Sequence, residues 1–353
     1  MGDNRGMPEN SLLRVGVVGC GAFGRNHARV YRELANDPSN KLELAGVADS
    51  DRGRAEAVAR EFGTRAFRSV DELIAAGVDA ASVAVPTVAH LEIARQLMRS
   101  GVDVLIEKPL ATSLAEADEL IALAREHGRV AQTGHLERFN PAVRATIPLL
   151  TQPMFFEVHR LSVFTPRSLD IDVILDLMIH DLDVVLSFAK SPVKEVRAVG
   201  LPILTRKVDI ANVRLEFESG CVANFTASRV STERIRKLRF FQPHQYVSLD
   251  YSRQDVLVLT VDEATPTDAS LDPFNPTSVA ASAFPSITPY KPTVEQQEPL
   301  RAELSSFLRV VRERSTPEVT LEDGRCALAL ARQIVEAIAE HSNKARLSEL
   351  TRA

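Results

Sequence analysis

Cysteine is scarce in this chain of 353 residues: only Cys20, Cys221 and Cys326 occur. The number is odd and the three lie far apart, so they offer neither a disulfide framework nor a metal-ligand spacing. A reducing compartment is the default. Excess charge is lacking too. The net charge is −5 and no dense Lys/Arg block occurs, which argues against nucleic acid as a partner. No uncharged apolar run is long enough to span a bilayer, and the polar stretch Met1–Ser11 lacks the apolar centre of a signal peptide. No internal repeat is present. A cytoplasmic protein without membrane association is the expectation, and the length suits two domains.

The most informative stretch that is present runs from Arg14 to Arg25, RVGVVGCGAFGR. The apolar run Val15–Val18 reads as a buried strand, then breaks into Gly19, Gly21 and Gly24 before a helical pattern. Gly19 permits a tight turn, Gly21 lets backbone amides approach a pyrophosphate, and Gly24 lets the helix sit close to the strand. Ala22 and Phe23 complete this loop. A helix N-terminus there presents unpaired N–H groups and a positive dipole end to phosphate. The second apolar run ends in Asp49, at the distance expected of an acid that accepts hydrogen bonds from an adenosine ribose. A carboxylate there favours NAD and repels the 2′-phosphate of NADP, although Arg52 and Arg54 could accommodate that phosphate.

Strand-like runs at Arg14–Val18, Leu42–Asp49, Ala80–Val85, Asp103–Ile106 and Arg129–Thr133 alternate with helical patterns at Asn26–Ala35, Arg52–Phe62, Val70–Ala76, Ala89–Ser100 and Leu114–His127. Thr87 and Ser113 stand where N-caps are wanted. This alternation predicts an α/β chain whose residues 12–134 form a doubly wound parallel Rossmann sheet. From residue 135 to 353 the texture changes to an α+β domain for substrate binding and oligomerisation. It opens with a short helix, Pro141–Leu150, a strand, Phe155–Phe164, and a long helix, Asp170–Phe188. Six further strand-like runs lie between Val193 and Val261, with a hairpin turn at Glu218–Gly220. A large, mostly antiparallel sheet follows, with helices on one face and the other left for a homodimer or homotetramer contact. Thr265–Pro299, rich in Pro, Ser and Thr, reads as a lid, an arm or a loose surface excursion. Helices Leu300–Arg314 and Leu321–Ser342 close the chain.

Chemistry-bearing positions cluster after the strands. Glu107-Lys108-Pro109 follows the strand Asp103–Ile106, where ligands of such sheets bind, and Lys108 is well placed beside a nicotinamide. Glu107 and, after the preceding strand, Pro86, Thr87 and His90 are candidates to meet the cofactor, His90 alternatively merely packing. Arg138, Asn140 and Arg160 are candidates for an anionic or hydroxylated substrate, because arginine meets phosphate with two parallel hydrogen bonds. On the otherwise apolar helix Asp170–Phe188, Asp172, Asp176, His180, Asp183 and Ser187 form one polar stripe. Burying such groups costs on the order of several kcal/mol unless they meet each other, water or a ligand. A metal site is disfavoured, because no second histidine lies at ligand spacing. That leaves a general base, with Asp176 orienting His180, or a structural network.

The motifs Gly19–Gly24, Pro86–His90, Glu107–Pro109 and Asp176–His180, together with the late segments Glu298–Leu304 and Glu322–Leu328, resemble the glucose–fructose oxidoreductase and inositol dehydrogenase family of NAD(P)-dependent sugar dehydrogenases. The resemblance implies that Lys108, Asp176 and His180 line a catalytic pocket. One departure is Val173-Ile174-Leu175, where many members carry glycines. Leu175–Asp183, Asp209–Asn212 and Ala227–Ser231 are similar to a branch that oxidises UDP-N-acetylglucosamine at C3, ahead of transamination for some lipid A molecules. The reaction so implied passes a hydride from a sugar carbinol to NAD, with His180 or Lys108 taking the hydroxyl proton. The alternatives are a dehydrogenase of a free polyol or unactivated sugar, and a regulatory protein that binds the dinucleotide without turnover.

Overall fold

A computed structural model describes residues 11–165, 171–261 and 287–345. The chain divides into two compact units, Met1–Asn140 with Gln297–Gln333, and Pro141–Gln296 with Ile334–Ala353.

The first unit is built on strands β1 (Leu13–Val18), β2 (Leu42–Ala48), β3 (Ala66–Phe67), β4 (Ala80–Val83), β5 (Asp103–Glu107) and β6 (Ala131–Gly134). They form a six-stranded sheet in the order β3-β2-β1-β4-β5-β6, parallel throughout. Helices α1 (Ala22–Ala35), α2 (Arg52–Glu61), α3 (Val70–Ala75), α4 (His90–Arg99) and α5 (Leu114–Glu126) connect the strands. The reversal of strand order at β1 and β4 is the switch point at which ligands of doubly wound sheets bind. The expected strands and helices are found, with three refinements. β3 is an extra strand of two residues that periodicity cannot reveal. α1 begins at Ala22, not Asn26, so the helix rises directly out of the glycine turn. Thr87 opens a single 3-10 turn, Thr87–Ala89, and α4 is capped by Ala89 with no side-chain bond. Ser113 does cap α5, its hydroxyl accepting from the Glu116 N–H at 3.2 Å. Ser69 does the same for α3 through the Glu72 N–H, also at 3.2 Å.

The change of texture at residue 135 assigns everything to 353 to one second domain, but Gln297–Gln333 groups with the first unit. Helix α8 (Pro299–Glu313) supplies the reason. Its apolar side chains Leu304, Phe307, Val310 and Val311 are buried in the same core as Val15, Val17, Tyr31 and Leu105. After α8 the chain returns to β6, the sheet's edge. Thr133 N–H donates to the Val319 carbonyl at 3.1 Å, and Gln132 bridges antiparallel to Thr320. A strand edge is thereby covered. Helix α9 (Leu321–Lys344) then begins against β6, where a Cβ at Gly324 would lie 2.4 Å from Thr133 Oγ1.

The second unit contains a short helix α6 (Pro141–Thr146) and an eight-stranded sheet of β7 (Phe155–Val163), β8 (Val193–Leu201), β9 (Ile210–Phe217), β10 (Val222–Ser231), β11 (Ile235–Gln242), β12 (Gln245–Asp250), β13 (Asp255–Val261) and β14 (Ile287–Tyr290). The order is β14-β13-β12-β11-β7-β10-β9-β8, antiparallel except where β10 runs parallel to β7. β14 falls in the Pro/Ser/Thr-rich segment, whose composition predicts no strand; residues 265–286 of that segment lie outside the described residues. One face of the sheet is apolar. Phe156 and Phe240 on it pack with Phe188 of α7 (Ile179–Ala189), ring centroids 5.8–6.5 Å apart. The opposite face carries half-exposed polar side chains such as Glu157 and Arg239, paired across strands at 3.0 Å. No described helix is long and apolar enough to cross a membrane.

Candidate active site

In the first unit the glycine turn has the geometry that a dinucleotide needs. Gly19 adopts φ +96°, which L side chains rarely do, and a Cβ there would lie 2.4 Å from the Ala84 carbonyl oxygen. A Cβ on Gly24 would fall 1.7 Å from the Gly19 carbonyl oxygen. A Cβ on Gly21 would meet nothing within 4 Å, so the space beside its backbone is open. The first turn of α1 carries no acid and no capping side chain, which leaves its N–H groups and dipole to an anion. Ala22 and Phe23 in that turn are exposed.

Asp49 follows β2. Its Oδ2 accepts from the Cys20 N–H at 2.7 Å and its Oδ1 from the Asp51 N–H at 2.8 Å. Each carboxylate oxygen has two acceptor directions, so ribose hydroxyls can still be taken on. The two arginines that leave the choice of cofactor open in the sequence are both met by acids. Arg54 lies 3.3 Å from Asp49 and from Asp51, and Arg52 lies 2.6 Å from Glu56. An open cradle at a helix N-terminus together with a fixed ribose acid fits NAD. Cys20, in the turn, is an inert thiol: burial, then the nearby Asp49 charge, pushes it up to about 12.

Around Lys108 the structure draws together residues that lie scattered in the sequence. Lys108 is half-buried at the end of β5 and is followed by a cis peptide bond to Pro109. Glu107, expected to meet the cofactor, instead turns its carboxylate inward. Its Oε1 lies 2.9 Å from Nε2 of His27 on α1, and both side chains are buried. His90 is also buried. Its Nε2 lies 3.0 Å from the Val85 carbonyl oxygen and its Nδ1 3.2 Å from that of Leu110. Burial holds its imidazole below the usual range, against the opposing pull of those carbonyls. The neutral ring has one N–H, which donates to one of these backbone carbonyls. Pro86 is exposed and Thr87 half-buried after the end of β4. His135, for which sequence patterning gives no signal, is buried close enough to Lys108 to feel its charge. Burial first, then Lys108 and Arg138, lowers its pKa to about 3. Asn140 is buried and its Nδ2 donates to Glu137 Oε2 at 3.1 Å, while Arg138 is half-buried.

In the second unit the polar stripe is not one regular helix. Ile174–Met178 forms a π turn, and α7 continues from it. Asp170 lies outside the described residues. Such turns recur at functional sites, because they re-aim side chains that a 3.6-residue repeat would stack. Asp176 sits within the π turn, half-buried, and His180 follows at the start of α7, buried to 8% exposure. The other stripe members have local uses: Asp172 Oδ1 accepts from the Val208 N–H at 2.9 Å, and Ser187 Oγ donates to the Val184 carbonyl at 2.7 Å. Asp183 is buried. The side chain that periodicity misses is Asp181. It meets Arg160 of β7 with two hydrogen bonds, 2.5 and 2.9 Å, both partners being buried, and the guanidinium lies over the Tyr251 ring. Arg160, expected to greet substrate, therefore anchors α7 to the sheet. No cluster of three or more His, Cys, Asp or Glu that could hold a metal ion occurs among the described residues.

Comparison with known proteins adds a second line of argument. A family model described as an oxidoreductase family with an NAD-binding Rossmann fold matches residues 13–135, and a GFO/IDH/MocA C-terminal domain model matches residues 154–241. The chain is 43% identical over 240 residues to UDP-N-acetylglucosamine 3-dehydrogenase of Acidithiobacillus ferrooxidans, a match covering 68% of this chain and 74% of that protein. A solved structure of the enzyme of that name from the same organism superposes with a TM-score of 0.81 at 35% identity, covering 92% of this chain and 97% of the other. Similarity to scyllo-inositol 2-dehydrogenase (NAD(+)) of Bacillus subtilis is weaker, 28% identity over 62% of this chain and 68% of that protein. Levoglucosan dehydrogenase in complex with NADH and levoglucosan shares the fold, with a TM-score of 0.78 at 17% identity over 94% of this chain and 98% of the other.

Proposed function

The chain belongs to the GFO/IDH/MocA oxidoreductase family, and from that premise we propose that it oxidises a hydroxyl of a nucleotide sugar to a ketone, with C3 of UDP-N-acetylglucosamine as the position attacked. The observation that carries the substrate is the 43% identity to the enzyme of that name, well above the 28% to the inositol dehydrogenase. Bound NAD supplies the hydride acceptor. In the proposed reaction the chain's residues handle the proton and the charge. His180 takes the proton from the reacting hydroxyl, the role imidazole most often plays in such sites. Asp176, on the π turn one step before it, orients that imidazole. The Lys108 ammonium stabilises negative charge as it builds on the sugar oxygen. A product ketone at C3 suits transamination to a 3-amino sugar, the step that would feed lipid A synthesis. The half-exposed polar face of the eight-stranded sheet is the surface proposed for homo-oligomerisation, and a cytoplasmic location accords with the scarce cysteine.

The test is a panel of UDP-N-acetylglucosamine, other sugar nucleotides, free sugars and inositols, each incubated with NAD and followed by NADH absorbance. Turnover confined to UDP-N-acetylglucosamine, with a 3-keto product by mass, is the expected result. Turnover of inositol alone would overturn the substrate. NADH binding without turnover of any member would return the chain to the regulatory alternative.

A further inference from the structure

Lys108 has no regular secondary structure after it to fix its direction, yet the segment that carries it is held from two sides. On the amino side, the Glu107 carboxylate is locked 2.9 Å from His27 Nε2. Glycine at 134 leaves the carboxylate room: a Cβ there would stand 3.1 Å from the Glu107 carboxyl carbon, a tight contact. On the carboxyl side, His90 Nδ1 lies 3.2 Å from the Leu110 carbonyl oxygen, and its Nε2 lies 3.0 Å from that of Val85. A neutral imidazole has a single N–H and so holds one of these carbonyls, not both; we assign the proton to Nδ1, the tautomer that donates to Leu110. The two histidines come from different helices, His27 from α1 behind the glycine turn and His90 from the first residue of α4. Both imidazoles are buried, and the contacts to Glu107 and Leu110 are out of competition with solvent.

We propose that His27 and His90 are positioning residues: gripping Glu107 and Leu110 between them, they set where the Lys108 ammonium points. Neither touches substrate. The proposal rests on the reading above that Lys108 acts on the sugar oxygen. It further assigns to the Pro86–His90 and Glu107–Pro109 motifs a joint task, in which the histidine closing the first motif holds the backbone of the second.

The experiment uses the full-length protein, with NAD as oxidant for turnover and NADH bound for affinity and exchange, and four variants: His90→Phe and His27→Phe, which keep a ring and remove the hydrogen bonds, and His90→Gln and His27→Gln, which restore one donor. Three readouts are taken: NADH affinity by fluorescence, kcat and KM on UDP-N-acetylglucosamine, and amide hydrogen exchange over residues 107–112. The Phe variants should retain NADH affinity and KM while kcat falls on the order of ten- to a hundredfold, the loss expected of an ångström-scale misplacement. Exchange over 107–112 should rise in the Phe variants, and the Gln variants should recover part of both losses. Wild-type kcat and wild-type exchange in both Phe variants would overturn the proposal. So would a kcat loss matched by an equal loss of NADH affinity with no change in exchange, or no recovery in either Gln variant. If the wild-type protein does not oxidise UDP-N-acetylglucosamine, the substrate reading fails separately, and the exchange readout still decides the grip on residues 107–110.

Discussion

Replacing Gly21 by alanine should separate cofactor binding from folding, and the neighbouring glycines show why. Gly21 has φ −66° and ψ −172°, a conformation that alanine adopts without strain. Its added methyl would have open space for 4 Å around it. The only stability change expected is a small one: alanine is a poorer N-cap than glycine, offset by a less flexible unfolded chain, each effect being below about 1 kcal/mol. The same methyl projects into the space assigned to the pyrophosphate and would push the phosphate off at least one backbone N–H. A hydrogen bond to a charged group is worth about 1.5–3 kcal/mol, so NADH affinity should fall roughly ten- to a hundredfold. Gly24→Ala is the contrast: its Cβ would sit 1.7 Å from the Gly19 carbonyl oxygen, so the turn itself must break. Thermal unfolding and NADH titration of both variants make the assay. Gly21→Ala should melt like wild type and bind poorly, whereas Gly24→Ala should lose both. A Gly21→Ala protein that binds NADH as wild type does would refute the placement of the pyrophosphate.

Other expectations concern the groups proposed for catalysis, a buried ion pair and acid stability. His180→Ala and Lys108→Ala should each lose most of kcat while NADH binding survives; wild-type turnover in either would remove that residue from the reaction. Asp181→Asn leaves the Arg160 guanidinium buried beside a neutral amide and should cost about 3–5 kcal/mol in denaturant unfolding, whereas the double change Arg160→Leu with Asp181→Leu should recover much of that loss; equal stabilities of single and double variants would contradict the pairing. His135 titrates at about 3 when folded, below its unfolded value of about 6.5, so the unfolded state binds the extra proton between those limits. Its contribution is therefore complete above about pH 6.5 and drains away as pH falls toward 3. His135→Gln should flatten that part of the stability–pH curve measured by urea midpoints, and an unchanged slope would show that another group is responsible.

Much of the first unit is readable from its residues because its glycines and its acid answer local demands. A positive φ at Gly19, close backbone at Gly24 and open space at Gly21 each call for a residue type that stands out in a sequence. Alternating strand and helix periods likewise state a parallel sheet without reference to distant residues. What escapes depends on long-range packing. The apolar stripe of α8 announces a buried helix, but not that it lies on the core of strands nearly three hundred residues earlier. The Asp-rich helix looks evenly periodic, and nothing in that spacing announces the π turn at Ile174–Met178 or the ion pair of Asp181 with Arg160. Arg160 looks like a substrate ligand for the same reason, its partner being 21 residues away. His27 and Glu107 are 80 residues apart, and no spacing rule joins them.

The discontinuous make-up of the first unit bears on how the chain is born. Leu304, Phe307, Val310 and Val311 complete a core whose other walls are translated first, and Val319 and Thr320 close the open edge of β6. A ribosome that has delivered only the segment up to Asn140 has therefore produced a sheet with bare apolar flank and an unpaired border, both liabilities for self-association. The dinucleotide fold, although it comes first in the chain, must be among the last parts to finish.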